Sequence, residues 1–483
     1  MKLADLLEGL SVTELAADPQ TEIAVVCYDS RKAWENSLFV AVRGYVTDGH
    51  KFISTVAAQG CAVCVCEEKP TVGIPYVIVP DSRLALALIG ANFYHHPAER
   101  MTMIGVTGTN GKTTSTILLK HVLEHCLGAK VGLIGTNRNL IGDEEVPTER
   151  TTPESLDLQE LLYEMVEKGC SHVVMEVSSH SLYLYRVAGI TYEVGVFTNL
   201  TRDHLDFHKT MENYAAAKAL LFSKQSRRAV INADDIWGAY MTGQSAGPVL
   251  TYGIEQPADL RASRLIEAAD RVSYTMEQAG KNYDVTLKIP GRFSVYNSLD
   301  VIGCGLALGL PAEEIIAALA DAEGVKGRVE VVPTDGDYAV IIDYAHTPDA
   351  LENVLNTMRP LCRARLVALF GCGGDRDRTK RPMMAEIAGK LADFVIVTSD
   401  NPRTEEPQAI IEDILPGLAG SETPYVSICD RGEAIAYALD MARSGDIIVL
   451  AGKGHETYQE INHVKHHMDE REIVAEHLAA RKV

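Results

Sequence analysis

The sequence predicts an α/β protein of three domains. A chain of 483 residues is about three times the usual domain length. Short, near-continuous apolar runs alternate with stretches of helical character over most of it, the pattern of parallel sheets covered on both faces. The polar clusters that stand out fall directly after those runs, at the edge where doubly wound sheets bind ligands.

Residues 1–98 form the first expected domain, a small α/β unit. Its apolar runs include Ser37-Leu38-Phe39-Val40-Ala41-Val42 and Tyr76-Val77-Ile78-Val79, and it has no nucleotide loop. Residues 99–330 form the second, a parallel sheet. Its strands are expected at Met101-Thr102-Met103-Ile104-Gly105-Val106, His172-Val173-Val174-Met175-Glu176-Val177, Glu193-Val194-Gly195-Val196-Phe197-Thr198 and Ala229-Val230-Ile231-Asn232. Residues 331–483 form the third, a second α/β unit. Its strands are expected at Ala339-Val340-Ile341-Ile342-Asp343-Tyr344, Leu366-Val367-Ala368-Leu369-Phe370, Phe394-Val395-Ile396-Val397-Thr398 and Asp446-Ile447-Ile448-Val449-Leu450-Ala451.

Between the first central strand and a helix expected from Ser115 lies Thr107-Gly108-Thr109-Asn110-Gly111-Lys112-Thr113-Thr114. A strand, a glycine-rich loop ending in Gly-Lys-Thr and a helix make a phosphate cradle, with backbone N–H groups and the helix N-terminus turned to anionic oxygens. Lys112 suits the outer phosphates and the Thr113 hydroxyl a magnesium ion. The glycine spacing is shorter than in the common nucleotide loop, because Val106 stands where that motif has its first glycine. A nucleoside triphosphate is expected; the loop alone does not say for what purpose.

The formal net charge of −21 and the lack of a long Lys/Arg run argue against nucleic acid or an anionic membrane as the main partner. The first residues carry acids where a signal peptide needs an apolar core, and no run is long enough to span a bilayer. Ten cysteines are scattered without a framework. Cys61, Cys64 and Cys66 lie in an apolar, strand-like segment and read as buried reduced thiols. The expected compartment is the cytoplasm.

Several other clusters carry chemistry. Glu176 ends the second central strand, placed for a further magnesium contact. His204 follows in Thr201-Arg202-Asp203-His204-Leu205-Asp206; alone it reads as a hydrogen-bonded loop residue, since magnesium prefers oxygen. Lys218, in the apolar helix Tyr214-Ala215-Ala216-Ala217-Lys218-Ala219-Leu220-Leu221-Phe222, reads by itself as a lysine whose head reaches solvent. In the third section, Arg376, Arg403 and Glu456 gather at strand ends. They suit an amino acid bearing carboxylate and ammonium groups, or else form a surface salt-bridge network.

These motifs together resemble the Mur ligases, ATP-dependent amide-forming enzymes of peptidoglycan synthesis. The resemblance runs nearly end to end. It includes Gly108-Thr109-Asn110-Gly111-Lys112-Thr113-Thr114, Met175-Glu176-Val177-Ser178-Ser179-His180, Asn199-Leu200-Thr201-Arg202-Asp203-His204, Gly291-Arg292-Phe293-Ser294-Val295-Tyr296-Asn297, Gly327-Arg328 and Asp343-Tyr344-Ala345-His346-Thr347-Pro348. Tyr28-Asp29-Ser30-Arg31, Asp48-Gly49-His50 and Thr151-Thr152-Pro153-Glu154 resemble the branch that adds the third peptide residue. Asp400-Asn401-Pro402-Arg403 resembles the members that take meso-diaminopimelate.

The resemblance implies a central P-loop ATPase-like domain, a C-terminal Rossmann-like domain and an N-terminal UDP-binding domain. It implies that meso-diaminopimelate is added to the D-glutamate of UDP-N-acetylmuramoyl-L-alanyl-D-glutamate through an acyl phosphate, with ATP and Mg2+. It assigns Gly108 to Thr114, Asn297, Arg328 and Asp343 to ATP, and Lys112, Glu176, His204 and Lys218 to catalysis. Thr113, Glu176, His204 and Lys218 are assigned to metal, with Lys218 carbamylated. Tyr28, Ser30, Tyr45, Val46, Thr47, Thr151, Thr152, Ser178 and Arg186 are assigned to the UDP-muramoyl dipeptide. Arg376, Asp400, Asn401, Pro402, Arg403, Gly452 and Glu456 are assigned to diaminopimelate. An unpaired buried Arg403 would penalise lysine, which lacks the distal carboxylate. Leu184 departs from members that carry a substrate-binding glutamine there. A monomer is implied. The readings weighed against this one are a lysine-adding or folylpolyglutamate synthase-like ligase, a P-loop ATPase that moves a partner, and a non-catalytic binding module.

Overall fold

The computed structural model describes residues 1–44, 47–147, 150–268 and 271–481, apart from the side chain of Asp206. The chain divides into two compact units. One comprises Met1–Arg261, Glu277–Gly280 and Tyr296–Ala318; the other comprises Ala262–Met276, Lys281–Val295 and Leu319–Val483. No helix among the described residues is long and apolar enough to cross a membrane.

In the first unit, β1 (Glu14–Ala16), β2 (Val25–Cys27), β3 (Ser37–Val40), β4 (Val63–Cys66) and β5 (Tyr76–Ile78) form a sheet in the order β1-β5-β4-β3-β2. All pairs are parallel except β1 with β5. Every residue of β3 and β4 is buried, which is why these runs show no polar alternation. Leu38, Val40, Val63 and Val65 pack with Leu86 and Ile89 of the helix Ser82–Phe93. On the other side Phe39, Cys61, Cys64 and Cys66 pack with Ile53 and Val56. The three cysteines are buried and free, as expected.

The same unit carries the central sheet. Its strands are β6 (Thr102–Thr107), β7 (Val131–Ile134), β8 (Asn139–Ile141), β9 (Glu144–Val146), β10 (His172–Glu176), β11 (Tyr192–Phe197), β12 (Ser226–Asn232) and β13 (Val249–Gly253), joined at its edge by the start of β14 (Leu260–Glu267). The order is β13-β12-β11-β6-β10-β7-β8-β9, parallel from β13 to β7. The chain fills one side of β6 with β7 and β10 and then crosses to β11 on the other. Strand order therefore reverses at β6, the place where such sheets open a ligand crevice, and the phosphate loop leaves β6 there. The helix begins at Lys112 rather than at Ser115, so Lys112, Thr113 and Thr114 form its first turn.

In the second unit, β15 (Val272–Gln278) and β16 (Lys281–Leu287) are joined by Ser273 Oγ–Thr286 Oγ1 at 2.9 Å and Thr275 Oγ1–Asp284 Oδ1 at 3.1 Å. The six strands β17 (Glu330–Val332), β18 (Ala339–Asp343), β19 (Leu366–Phe370), β20 (Phe394–Val397), β21 (Tyr425–Ser427) and β22 (Ile447–Ala451) follow. They are ordered β17-β18-β22-β19-β20-β21, and only β17 is antiparallel. β22, the last of the six in the chain, lies between β18 and β19. The loops after β18, β20 and β22 thus leave one sheet edge. A hairpin of β23 (Tyr458–Ile461) and β24 (Val464–His467) follows.

Candidate active site

The phosphate loop is braced from the neighbouring strand end. Asn199 accepts from the Thr109 N–H through its carbonyl and from the Asn110 N–H through Oδ1, both at 2.9 Å. Thr198 Oγ1 donates to the Asn110 carbonyl at 2.6 Å. A Cβ on Gly108 would stand 1.9 Å from Thr198 Oγ1, so this close approach requires glycine. Asn297, on the helix Arg292–Ala307, is buried beside Gly111: a Cβ there would come within 2.7 Å of its Oδ1.

Two lysines meet under the loop. Lys112 Nζ donates to the Gly108 and Thr109 carbonyls at 3.0 and 2.9 Å. Lys218 Nζ donates to the same Gly108 carbonyl at 2.8 Å and lies 4.7 Å from the Tyr214 ring centre. Lys218 is 1% exposed, so its head does not reach solvent. Burial, and after it the charge of Lys112, holds its ammonium well below the ordinary lysine value. The side chain is driven toward the neutral, nucleophilic amine.

Glu176, at the end of β10 and 1% exposed, is held on both oxygens. Oε1 accepts from Thr113 Oγ1 and from the Thr136 N–H, each at 2.9 Å, and Oε2 accepts from Thr136 Oγ1 at 3.0 Å. A hydroxyl and a carboxylate side by side are oxygen donors of the kind magnesium takes. His204 is placed differently. It stands at φ +52°, with Nε2 3.3 Å from Asp203 and its ring edge-on to His180. Among the described residues, no three His, Cys, Asp or Glu side chains gather as a metal-holding group.

The residues expected at the muramoyl-dipeptide end lie on the same edge. Thr136 Oγ1, whose proton goes to Glu176, accepts from Thr151 Oγ1 at 3.0 Å, and Thr152 Oγ1 donates to the Glu176 carbonyl at 2.8 Å. Ser178 caps the helix Ser179–Tyr183. Arg186 lies 3.3 Å from Glu154 and donates to the Thr152 carbonyl at 3.4 Å. Tyr28, Asn139, Arg150, Glu154 and Asp157 line a cavity of about 650 Å³, where the Tyr28 hydroxyl donates to Asp157 at 2.6 Å. Ser30 starts the next turn. Thr47 is exposed and its carbonyl accepts from the Gly44 N–H at 3.0 Å; Tyr45 and Val46 lie outside the described residues.

In the second unit, Asp343 ends β18 and accepts from the Val329 N–H at 2.8 Å, and the Arg328 guanidinium lies over the Tyr344 ring at 5.2 Å. The loop after β19 meets the loop after β20. A Cβ on Gly373 would stand 2.8 Å from Arg403 Nη1 and 3.9 Å from Arg376 Cγ, so the two arginines flank this glycine. Arg403 already has partners within the chain. Its Nη1 donates to the Gly374 carbonyl at 2.8 Å and its Nε lies 3.3 Å from Glu460. Its backbone, at φ +52°, joins β23: Arg403 N–H donates to the Glu460 carbonyl at 3.0 Å, and Asn462 N–H to the Arg403 carbonyl at 2.7 Å. Asn401 Nδ2 donates to Glu456 Oε2 at 2.8 Å. Pro402 accepts from the Glu405 N–H. The buried Asp400 lies against Gly452, where a Cβ would be 2.6 Å from Oδ2. Burial pushes the Asp400 carboxyl up, but Lys453 and Arg431 outweigh it and hold the group below its ordinary value.

Arg403 and Glu456 are themselves ion-paired, with Glu460 and Lys453, and a larger salt-bridge network lies beside them. The fully buried Arg381 binds both oxygens of Glu405, at 2.8 and 3.0 Å, and Asp413 at 2.7 Å. Glu405 also accepts from the Asp375 N–H and from Arg378. Asp375 in turn holds Thr404, next to Arg403. The Arg381 hydrogen bonds, first among the causes, lower Glu405 to about 2 from 4.5. A depressed carboxyl stabilises the fold fully above its unfolded value and loses that effect as pH falls toward the folded one. The melting temperature of wild type should therefore exceed that of Glu405→Gln above pH 4.5, and the gap should close between pH 4.5 and about 2. A gap independent of pH would contradict the ionic role.

Sequence reasoning missed Thr136, which ties Glu176 to Thr151; Tyr214 under Lys218; and the Arg381–Glu405–Asp375–Thr404 brace. Thr136 follows an apolar strand, as the other site residues do, and that position was the available signal.

Three family models match the chain: "Mur ligase family, catalytic domain" over residues 22–94, "Mur ligase middle domain" over 106–305, and "Mur ligase, glutamate ligase domain" over 327–454. The chain is 48% identical to the UDP-N-acetylmuramoyl-L-alanyl-D-glutamate--2,6-diaminopimelate ligase of Caldanaerobacter subterraneus subsp. tengcongensis, over 99% of each. It is 47% identical to ligase 1 of that description from Clostridium acetobutylicum, also over 99% of each. A solved structure of a UDP-N-acetylmuramoyl-L-alanyl-D-glutamate--2,6-diaminopimelate ligase matches with a TM-score of 0.74 at 32% identity, over 100% of this chain and 99% of that one.

Proposed function

The chain belongs to the Mur ligase family, and from that premise we propose that it joins meso-diaminopimelate to the D-glutamate of UDP-N-acetylmuramoyl-L-alanyl-D-glutamate at the expense of ATP. The full-length likeness to diaminopimelate ligases supports this. The single structural observation that carries it is the Arg376–Gly373–Arg403 edge with Asn401 and Glu456 beside it. That edge offers guanidinium groups for carboxylates and a carboxylate for an ammonium.

The reaction runs in two steps. A D-glutamyl carboxylate oxygen attacks the γ-phosphorus of ATP, ADP leaves, and an acyl phosphate forms. The amino group of diaminopimelate attacks the acyl carbon; the tetrahedral adduct expels inorganic phosphate and loses a proton, leaving the amide. Lys112, at the start of the helix, draws the γ-phosphate charge, and the Gly108–Thr114 loop orients the chain of phosphates. Asn297, Arg328 and Asp343 are proposed to hold the nucleoside. Tyr28, Ser30, Thr47, Thr151, Thr152, Ser178 and Arg186 are proposed to hold the UDP-muramoyl dipeptide, and Arg376, Asp400, Asn401, Pro402, Arg403, Gly452 and Glu456 diaminopimelate.

Thr113 and Glu176 would hold Mg2+, joined by Lys218 as a carbamate and by His204. The metal would neutralise charge between carboxylate and polyphosphate. As a carbamate, Lys218 would exchange its repulsion of Lys112 for attraction. We further propose a monomeric, cytoplasmic enzyme with domains 1–98, 99–330 and 331–483, acting in cell-wall growth and thereby in cell shape and division.

The test is phosphate release with ATP, Mg2+ and the UDP-muramoyl dipeptide, on adding meso-diaminopimelate or L-lysine. Turnover with diaminopimelate is expected. Turnover with lysine alone would sink the specificity, and phosphate release needing no amino acid would sink the ligase reading.

A further inference from the structure

Lys453 is a lysine with no exposed surface, placed between β22 and β23 and flanked by Gly452 at φ +118° and Gly454 at φ +52°. Those backbone angles suit glycine, and they fold the chain so that the lysine turns inward. Its Nζ donates to Asn401 Oδ1 and to Glu456 Oε2, each at 2.8 Å, and lies 5.5 Å from the Tyr458 ring centre.

These two bonds fix more than the lysine. Asn401 Oδ1 also accepts from the Glu460 N–H at 2.9 Å, so the amide oxygen has two donors and its orientation is determined. The amide nitrogen is left to donate to Glu456 Oε2 at 2.8 Å. Glu456 Oε2 thus takes two donors, from Lys453 and Asn401, and Oε1 remains for a ligand. Asp400 Oδ2, buried and without a hydrogen-bond partner, adds a second carboxylate oxygen at Gly452.

We infer that Lys453 is a positioning residue for amino-acid recognition: its ammonium locks Asn401 and the Oε2 side of Glu456, so that Glu456 Oε1 is presented to an ammonium group of diaminopimelate. This rests on the function proposed above. A buried lysine is needed because a neutral side chain would leave Glu456 with its desolvation uncompensated and free to turn to another donor.

The experiment is a double-mutant cycle on the full-length enzyme, with KM for diaminopimelate, KM for ATP and kcat measured for Lys453→Met, Glu456→Gln and the pair. Lys453→Met should raise KM for diaminopimelate about 10- to 100-fold, with KM for ATP unchanged. The pair should fall well short of the product of the two single effects, because Lys453 acts through Glu456 together with Asn401. Lys453→Gln, which keeps N–H donors without the charge, should fall between wild type and Lys453→Met. Effects that multiply in the pair, equal rises in both KM values, or loss of folding in both Lys453 variants would make the residue merely structural and overturn the inference. Wild-type enzyme that does not turn over diaminopimelate would overturn the underlying function. Normal wild-type turnover with an unchanged KM in Lys453→Met would overturn this inference alone.

Discussion

Lys218→Ala should lower kcat by about 10²- to 10³-fold while leaving KM for diaminopimelate near its wild-type value. The residue sits under the phosphate loop on the Gly108 carbonyl, remote in sequence from the loops assigned to the amino acid. Its amine is pressed toward neutrality by burial and by Lys112, and a neutral amine is the form that attacks carbon dioxide. The N–C bond formed gives a carbamate and releases a proton. Intact-mass measurement in bicarbonate buffer should show the added carbon dioxide in wild type and not in Lys218→Ala. Bicarbonate should raise the rate of wild type alone. A Lys218→Ala enzyme with wild-type kcat would remove the residue from the site. A low kcat with no sign of the adduct would leave it an unmodified buried lysine and sink the carbamate.

Arg403→Ala should raise KM for diaminopimelate about 10- to 100-fold and leave KM for ATP alone. Arg403→Lys should recover only part of the loss, because an ammonium cannot grip a carboxylate with two parallel bonds. The guanidinium already spends one N–H on the Gly374 carbonyl and faces Glu460 with another. It has five donors, so others remain for the distal carboxylate. In the proposed function, discrimination against lysine would then come from the carboxylate bond gained by the right substrate more than from a cation stranded by the wrong one. Glu460→Gln separates the two roles of the residue, since it weakens the brace and keeps the fork. If Glu460→Gln raised KM for diaminopimelate as much as Arg403→Ala, Arg403 would be a loop brace and not a binding group.

The strands were readable because they are buried on both faces: β3, β4, β19 and β22 are apolar at nearly every position. The expectation that polar clusters follow strand ends agrees with where the structure has Glu176, Asn199, Asp343, Asp400 and Gly452. Contacts that join distant segments were not readable. Nothing local to Lys218 told a buried lysine from a snorkelling one, because that depends on Gly108, 110 positions away. Likewise Arg381 and Glu405 look like surface charges in a polar stretch until the loops after β19 and β20 are brought together. Lys453 had a visible sign in its two glycines, and Glu456 is only three residues on, but its other hydrogen-bond partner, Asn401, lies 52 positions away.

The attachment of Arg403 to β23 has a consequence for engineering and for descent. Because the Arg403 backbone exchanges hydrogen bonds with Glu460 and Asn462, residues 400–406 and the hairpin 458–467 behave as one cassette. A chimera that imports only the first segment from a relative with another amino-acid preference would seat its side chain on a foreign hairpin. Transplants that move both segments together should change preference cleanly, and in lineages where the preferred amino acid has changed the two segments should have been exchanged as a pair.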